Sequence, residues 1–369
     1  MRTTAVPHPA GPLLDLRSDT LTKPTPALRM AMMAAEVGDA YYDEDPSVLA
    51  LEERVAQVLG FEAAAFMPSG TMSNQVALRF HARAGDAVLC SPENHIVQYE
   101  TGALAGINGL QHMPAPLESN GFRIDEAALA GCIVPADARH APTTSVVAVE
   151  NTQLRAGGAV YPLEALVSLR RACNALGLPL HIDGARLWHA AHVETHARQG
   201  NTQQKHLQNV SPFAYLARYG DACDTLSVCF SKGLGAPVGS AMLGPRRAIN
   251  AAKKIRKMMG GTMRQCGILA AGAQFAMENQ FERLADDHAS ARILARAFAE
   301  TFPHAIVPVP ATNIVLARFS TPTEALACVE KFHSEKNVRL SLLDPVTVRG
   351  VTHLDAPLSA FQERFAPLP

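Results

Sequence analysis

Thr225-Leu226-Ser227-Val228-Cys229-Phe230 runs directly into Ser231-Lys232-Gly233-Leu234-Gly235. The first six residues read as a short apolar strand, and a lysine followed by two glycines stands at its carboxyl end. In open α/β sheets that end is where ligand crevices form. The stretch therefore predicts an α/β fold with Lys232 at the mouth of a site. Taken alone, a lysine there is more often a solvated charge at a strand end. Gly233, Gly235 and Gly239 do not have the G-x-G-x-x-G spacing of a dinucleotide loop.

Outward from this strand, similar apolar runs recur: Ala63 to Met67, Asp86 to Cys90, Ser145 to Val149 and Leu178 to Asp183. Between them lie amphipathic segments. Asp45 caps a helix whose first residue is Pro46, with Val48, Leu51, Val55 and Val58 at helical spacing and Gly60 to close it. Further helices are predicted over Pro26 to Val37, Thr71 to Ala84 and Pro162 to Leu176, the last with Leu163, Leu166, Leu169 and Cys173 on one face. Short strands joined by long helices predict a mostly parallel sheet covered on both faces. After Ile249 the texture changes to long helices and a strand-containing tail. We expect an N-terminal extension over 1–14, a large domain over 15–249 and a smaller α+β domain over 250–369. The polar stretch Thr195 to Pro212 reads as a surface insertion.

Composition narrows the class. The 369 residues are 48% hydrophobic and 18% charged, enough to bury a large core, and 33 basic against 34 acidic residues leave a net charge of −1. That balance offers no electrostatic footprint for nucleic acid, and no apolar run reaches the roughly 20 residues that span a bilayer. Seven scattered cysteines without a CxxC pair point to free thiols in a reducing compartment, so a cytoplasmic protein without a metal site is expected.

Three further motifs sit where chemistry is possible. His181-Ile182-Asp183-Gly184-Ala185-Arg186 again ends a strand. Its Asp183 is either a turn residue before glycine or a carboxylate able to hold a protonated ring nitrogen. With a Schiff-base lysine, such an Asp is the minimum protein kit for pyridoxal 5'-phosphate chemistry. Pro68-Ser69-Gly70-Thr71 is a strand-to-helix turn: an ordinary helix cap, or a cradle for a phosphate on backbone N–H groups. His95 follows a strand and is either a hydrogen-bonded loop residue or a group that stacks on a flat cofactor. Lys253, Lys254, Arg256 and Lys257 form a basic run, read as a solvated helix face or as a source of one phosphate contact across a subunit interface.

These residues together resemble the threonine aldolase family, fold-type I pyridoxal-phosphate enzymes. The resemblance runs from Asp15 to about Asp355. It is carried by Asp15-Leu16-Arg17-Ser18-Asp19-Thr20, Val37-Gly38-Asp39 with Glu44-Asp45-Pro46, and Pro68-Ser69-Gly70-Thr71-Met72. Glu150-Asn151-Thr152, Asp183-Gly184-Ala185-Arg186-Leu187, Ser231 to Ser240, Met263-Arg264-Gln265 and Val351-Thr352-His353-Leu354-Asp355 complete it. By that resemblance Lys232 is the Schiff-base lysine and Asp183 the partner of the pyridine nitrogen. Gly70 and Thr71 hold the phosphate, Lys257 reaches it from a neighbouring subunit, and His95 stacks on the ring. Ser18, Arg186 and Arg349 grip the substrate carboxylate. His140, ten residues before Glu150, is expected to match a second active-site histidine. Arg264 falls on a family motif without an assigned role.

The resemblance implies cleavage of β-hydroxy-α-amino acids such as threonine to glycine and an aldehyde, by a homo-oligomer built as a dimer of dimers. His95, His140 and water are candidates for the base that takes the β-hydroxyl proton. The same kit also serves β-elimination and racemisation, and a non-catalytic binding protein is the reading from a different class. The chain departs from the family at Gln153-Leu154, where His-Asn is common, at Asp43 and at Thr262. The long interval between Asp183 and Lys232 agrees with the Thr195 to Pro212 insertion.

Overall fold

The computed structural model describes residues 11–199 and 212–365. Its contacts divide the chain into two compact units. One holds Pro24–Ala156 and Val160–Phe281; the other holds the chain up to Lys23, Gly157–Ala159 and the chain from Glu282.

The described strands are β1 (Leu14–Asp15), β2 (Ala63–Met67), β3 (Ala87–Cys90), β4 (Gln111–Pro114), β5 (Thr144–Glu150), β6 (Leu180–Gly184), β7 (Thr225–Cys229), β8 (Ser240–Gly244), β9 (Ile314–Arg318), β10 (Val338–Arg339), β11 (Ser341–Asp344) and β12 (Thr347–Val351). In the larger unit seven of them form one sheet in the order β2-β8-β7-β6-β5-β3-β4. β8 runs antiparallel to both β2 and β7, and the remaining pairs are parallel. The sheet is therefore mostly parallel, as predicted. β2, β3, β6 and β7 emerge close to their expected limits. β8 was not among the predicted strands: Ser240-Ala241-Met242-Leu243-Gly244 has no β-branched residue, so its sequence carries little strand signal.

Local chemistry sets the helix limits. Asp45 accepts a hydrogen bond from the Val48 N–H, Pro46 is the first helical residue, and Gly60 closes Pro46–Leu59 in the left-handed conformation. Glycine is needed there, because its φ is 76° and a Cβ would overlap the Ala217 carbonyl oxygen. Ser69 caps the helix Gly70–His81 through the Met72 N–H. That helix buries Ser73, Asn74, Gln75, Val76, Ala77 and Leu78, an unusually polar set for a face turned inward. Ala65, Met67, Val76, Ala77, Met242 and Ala252 pack into one apolar cluster, and Leu78, Val88, Ile96, Leu104 and Val146 into another.

Two expectations about boundaries change. The border predicted at 249/250 falls instead at Phe281/Glu282. The helix Arg246–Met258 packs on β2 and on Gly70–His81, and Gly267–Asn279 packs on Pro26–Met33 and Pro46–Leu59, so both extend the larger unit. The polar stretch begins inside a helix, Leu187–Gln199, with Thr195 buried; residues 200–211 lie outside the described residues.

In the smaller unit β11, β12 and β9 form an antiparallel sheet and β1 pairs in parallel with β10. Leu14 and Leu16 pack with Leu294, Phe298, Phe332, Val348 and Phe361. The N-terminal extension thus ends in a strand of this unit.

Candidate active site

Asp183 is the next-to-last residue of β6 and is 1% exposed. Its Oδ1 accepts from the Ala185 N–H at 3.1 Å and its Oδ2 from Asn74 Nδ2 at 2.8 Å. Glu150 ends the neighbouring strand β5 and pairs in register with Asp183, and Ser227 flanks it on β7. Three residues beyond the end of β7 comes Lys232, half-buried. Both therefore stand at carboxyl ends of adjacent parallel strands, the place the sequence assigned them.

His95 follows β3 on the same side of the sheet. Its backbone N–H donates to Glu150 Oε2 at 2.9 Å, and its Nδ1 lies 3.3 Å from Glu100 Oε1. Its ring is 5.5 Å from that of Tyr99. Burial pulls the His95 pKa down, but the Glu100 hydrogen bond and the charges of Asp183 and Glu150 outweigh it. Lys232 is near enough to oppose them, and the balance lies above the ordinary 6.5. Burial first, and then the charge of Asp183, pushes Glu150 up as well.

Gly70 and Thr71 open the helix Gly70–His81, so their N–H groups belong to the first turn, which has no intrahelical acceptors. A Cβ on Gly70 would lie 2.7 Å from Cys229 Sγ, and one on Gly233 would overlap His189 Nε2. Glycine at both points lets the backbone approach β7 and the helix Leu187–Gln199. Arg186 is buried just beyond β6. Lys257 is exposed on Arg246–Met258, its ammonium 4.7 Å from the centroid of the Tyr41 ring, and Arg264 sits 5.0 Å over the same ring.

Ser18 and Arg349 are neighbours in the smaller unit. Arg349 Nη2 donates to the Arg17 carbonyl at 3.0 Å, next to Ser18, whose Oγ accepts from the Thr20 N–H.

His140 is a correction. It is exposed, in the loop that enters β5, whereas Glu150 and Asp183 stand at carboxyl ends. Seven residues of β5 separate the two ends, about 20 Å at the usual rise of a strand. Within this chain His140 cannot join His95.

The sequence reading gave no role to Asn74, Glu100, Glu150 or Gln153. Glu100 is buried and accepts from Asn74, Gln75 and His95. Gln153, also buried, donates from Nε2 to the Glu93 carbonyl at 2.9 Å, which ties the segment after β5 to the loop carrying His95. The signal for Asn74 was present: two adjacent amides, Asn74-Gln75, interrupt the inward face of a helix.

The donor set fits pyridoxal phosphate. A buried carboxylate held by an amide and a backbone N–H retains acceptor capacity for a ring N–H. A helix N-terminus with close glycines suits a phosphate, and a lysine and a histidine stand near the carboxylate.

Comparison with known proteins gives the family. A family profile described as "Beta-eliminating lyase" matches residues 15–322. The low specificity L-threonine aldolase of Escherichia coli strain K12 is 36% identical over 344 residues, covering 93% of this chain and 94% of that protein. That of Saccharomyces cerevisiae is 37% identical over 284 residues, covering 76% of this chain and 68% of the yeast protein. Among solved structures, the threonine aldolase of Leishmania major superposes with a TM-score of 0.76 at 19% identity, covering 95% of this chain and 97% of the other. That likeness carries the fold, the fold-type I α/β architecture. The profile and the sequence relatives place this chain in the threonine aldolase family of β-eliminating lyases.

Proposed function

We propose that this protein binds pyridoxal 5'-phosphate and cleaves L-threonine, L-allo-threonine and related β-hydroxy-α-amino acids to glycine and an aldehyde. The observation that carries the reading is the buried Asp183, held by Asn74 and the Ala185 N–H with Lys232 and His95 close by. When bound, the cofactor supplies an electron sink for the bond-breaking step. Asp183 accepts the ring N–H. Gly70 and Thr71 donate N–H groups to the phosphate. Lys232 would be the amine that holds the cofactor. His95 would stack on the ring and take the β-hydroxyl proton, a task suited to a histidine whose pKa is raised above 6.5. Ser18, Arg349 and Arg186 bind the substrate carboxylate.

We also propose a homo-oligomer, in which Lys257 reaches the phosphate of a neighbouring subunit. Met30, Met33, Tyr41, Tyr42, Met258 and Ile268 are exposed in the larger unit, on segments that pack against each other or meet at the Tyr41 ring. Apolar surface gathered in this way supports that reading. The seven cysteines are free thiols, which supports a cytoplasmic location. No helix among the described residues is long and apolar enough to cross a membrane.

The β-eliminating activity named in the family profile is the second reading. Product analysis with L-threonine, L-allo-threonine and phenylserine separates the two. Glycine and aldehyde are expected; a keto acid with ammonia would overturn the aldolase reading.

A further inference from the structure

His181 and Asp183 lie two apart on β6 and so share one face of the sheet. That face holds a line of buried polar groups. Asn74 Nδ2 donates to Asp183 Oδ2 at 2.8 Å and to Glu100 Oε1 at 2.9 Å. Asn74 Oδ1 is 3.1 Å from His181 Nε2, and His181 Nδ1 is 2.9 Å from Thr225 Oγ1. Thr225 Oγ1 is in turn 2.9 Å from His81 Nε2. Asn74, His181 and Thr225 are buried. His81 lines a groove with Phe80, Arg170 and Arg247.

The protons in this line have one arrangement. Two carboxylates can only accept, so the Asn74 nitrogen faces them and its oxygen faces His181. Burial lowers His181 to about 4 and His81 to about 3, so both rings are neutral at pH 7, with one donor and one acceptor each. His181 must then carry its proton on Nε2 to meet the Asn74 oxygen, which leaves Nδ1 to accept from the Thr225 hydroxyl. Thr225 has a single proton, so its oxygen accepts from His81 Nε2–H. Every donor points toward Asp183 and Glu100. Reversing any member would set two donors or two acceptors against each other in a dry interior, where an unmet polar group is costly.

We propose that Asn74 and His181 are positioning residues for the Asp183 contact with the cofactor. In this one-way relay His81, Thr225, His181 and Asn74 fix the Asp183 carboxylate as an acceptor and join it to Glu100, which holds His95. Both groups that meet the ring are thereby locked by one amide. The assignment deepens the function proposed above and rests on it for its catalytic consequence. The proton arrangement itself stands on the hydrogen-bond geometry and on the neutrality of the two buried rings, not on that function.

The test uses the full chain loaded with pyridoxal phosphate, as wild type and as H181L, H181Q and T225V. Glutamine keeps a donor for Asn74 and an acceptor for Thr225; leucine keeps neither, and T225V removes one hydroxyl with little change of shape. For H181L and T225V we expect kcat for L-threonine to fall about fivefold or more, with KM within about twofold, and H181Q to recover most of the loss. Histidine-ring 15N NMR of the wild type should show His181 and His81 neutral with the proton on Nε2. An Nδ1 proton or a charged ring at either position overturns the relay, as does a kcat that is the same in H181L as in wild type. Equal impairment of H181Q and H181L also overturns it, since bulk alone would then explain the loss. A wild type that neither binds the cofactor nor releases aldehyde refutes the proposed function instead, and the ring spectra still decide the relay.

Discussion

His95 Nδ1 lies 3.3 Å from Glu100 Oε1, and the same buried carboxylate accepts from Asn74 and Gln75. This contact is the largest of the influences that raise the His95 pKa against its burial. Glu100→Gln keeps an acceptor and removes the charge, so burial regains the upper hand and the His95 pKa falls. A base that works in its neutral form is then available at lower pH. The acid limb of the kcat/KM profile for L-threonine should move to lower pH in this variant. An unmoved limb would separate His95 from the proton transfer.

Buried neutral histidines make the fold acid-sensitive. The folded pKa of His181, about 4, and of His81, about 3, lie below the ordinary 6.5. Desolvation is the main cause for both. At His181 the Asp183 charge works against it, and at His81 the neighbouring His181, Arg170 and Arg247 add to it. A depressed pKa contributes stability that is present above 6.5 and lost as pH falls toward the folded value. Each histidine therefore costs about 1.4 kcal/mol per pH unit below 6.5. Glu150, raised by burial and then by Asp183, works in the opposite sense above its ordinary 4.5. The comparison of wild type with His181→Gln isolates one histidine. Denaturant unfolding between pH 6.5 and 4.5 should show a pH slope smaller by about 1.4 kcal/mol per unit in the variant. Identical slopes would mean that His181 is not held neutral.

Lys232 and Asp183 should fail in different ways. Lys232→Ala removes the amine proposed to attach the cofactor, so the yellow colour expected of the purified protein and nearly all aldehyde release should be lost. Asp183→Asn should keep the cofactor bound, because the phosphate cradle and the His95 side are untouched. Its kcat should nevertheless drop about a hundredfold or more, since an amide does not stabilise a ring N–H as a carboxylate does. Absorbance and steady-state rates of the two variants check both statements; near-normal aldehyde release from Lys232→Ala would remove the lysine from the mechanism.

Gly70 tests the packing under the proposed phosphate cradle. A methyl group there would sit 2.7 Å from Cys229 Sγ, at the end of the strand that leads to Lys232. Gly70→Ala should cost about 1–3 kcal/mol by overpacking and weaken cofactor retention. Cys229→Ala opens space at the same point, so the double variant should recover at least half of the lost stability. Thermal unfolding of the two single variants and the double one measures this, and additive losses would show that the sulfur is not what Gly70 makes room for.

These sites differ in how far the sequence exposes them. Asp45, Pro46 and Gly60 bracket a helix by local chemistry, and the structure keeps both limits. Lys232 and Asp183 were legible because each ends an apolar run, and a strand's end is a local event. Which end of the sheet a loop residue occupies is not local, which is why His140 looked adjacent to Glu150 and lies a strand's length away. The border at Phe281 was hidden for the same reason: Arg246–Met258 and Gly267–Asn279 have a helical texture like that of the smaller unit, and only their packing partners assign them. Asn74 had a readable oddity, an amide on an inward helix face, but its partners come from two distant stretches of chain, Glu100 from one and His181 and Asp183 from β6.

Arg349 gives the last prediction. Its guanidinium donates to the Arg17 carbonyl at 3.0 Å, beside Ser18, so one side of the fork is anchored to backbone. Only a bond held perpendicular to the cofactor plane can break into its π system, so the choice of reaction depends on how the substrate carboxylate is pinned. A guanidinium pins it with two parallel hydrogen bonds, whereas an ammonium is a point charge on a flexible stem. Arg349→Lys would keep the charge and lose both the fork and the anchor to Arg17. The KM for L-threonine should rise about tenfold and kcat should fall, while cofactor absorbance and thermal stability stay close to wild type, since the side chain is only half-buried. The share of turnover that yields products other than glycine should rise, because a loosely held substrate presents the wrong bond to the ring. Steady-state kinetics with product analysis on this variant decide the assignment: unchanged threonine kinetics would show that Arg349 does not hold the carboxylate.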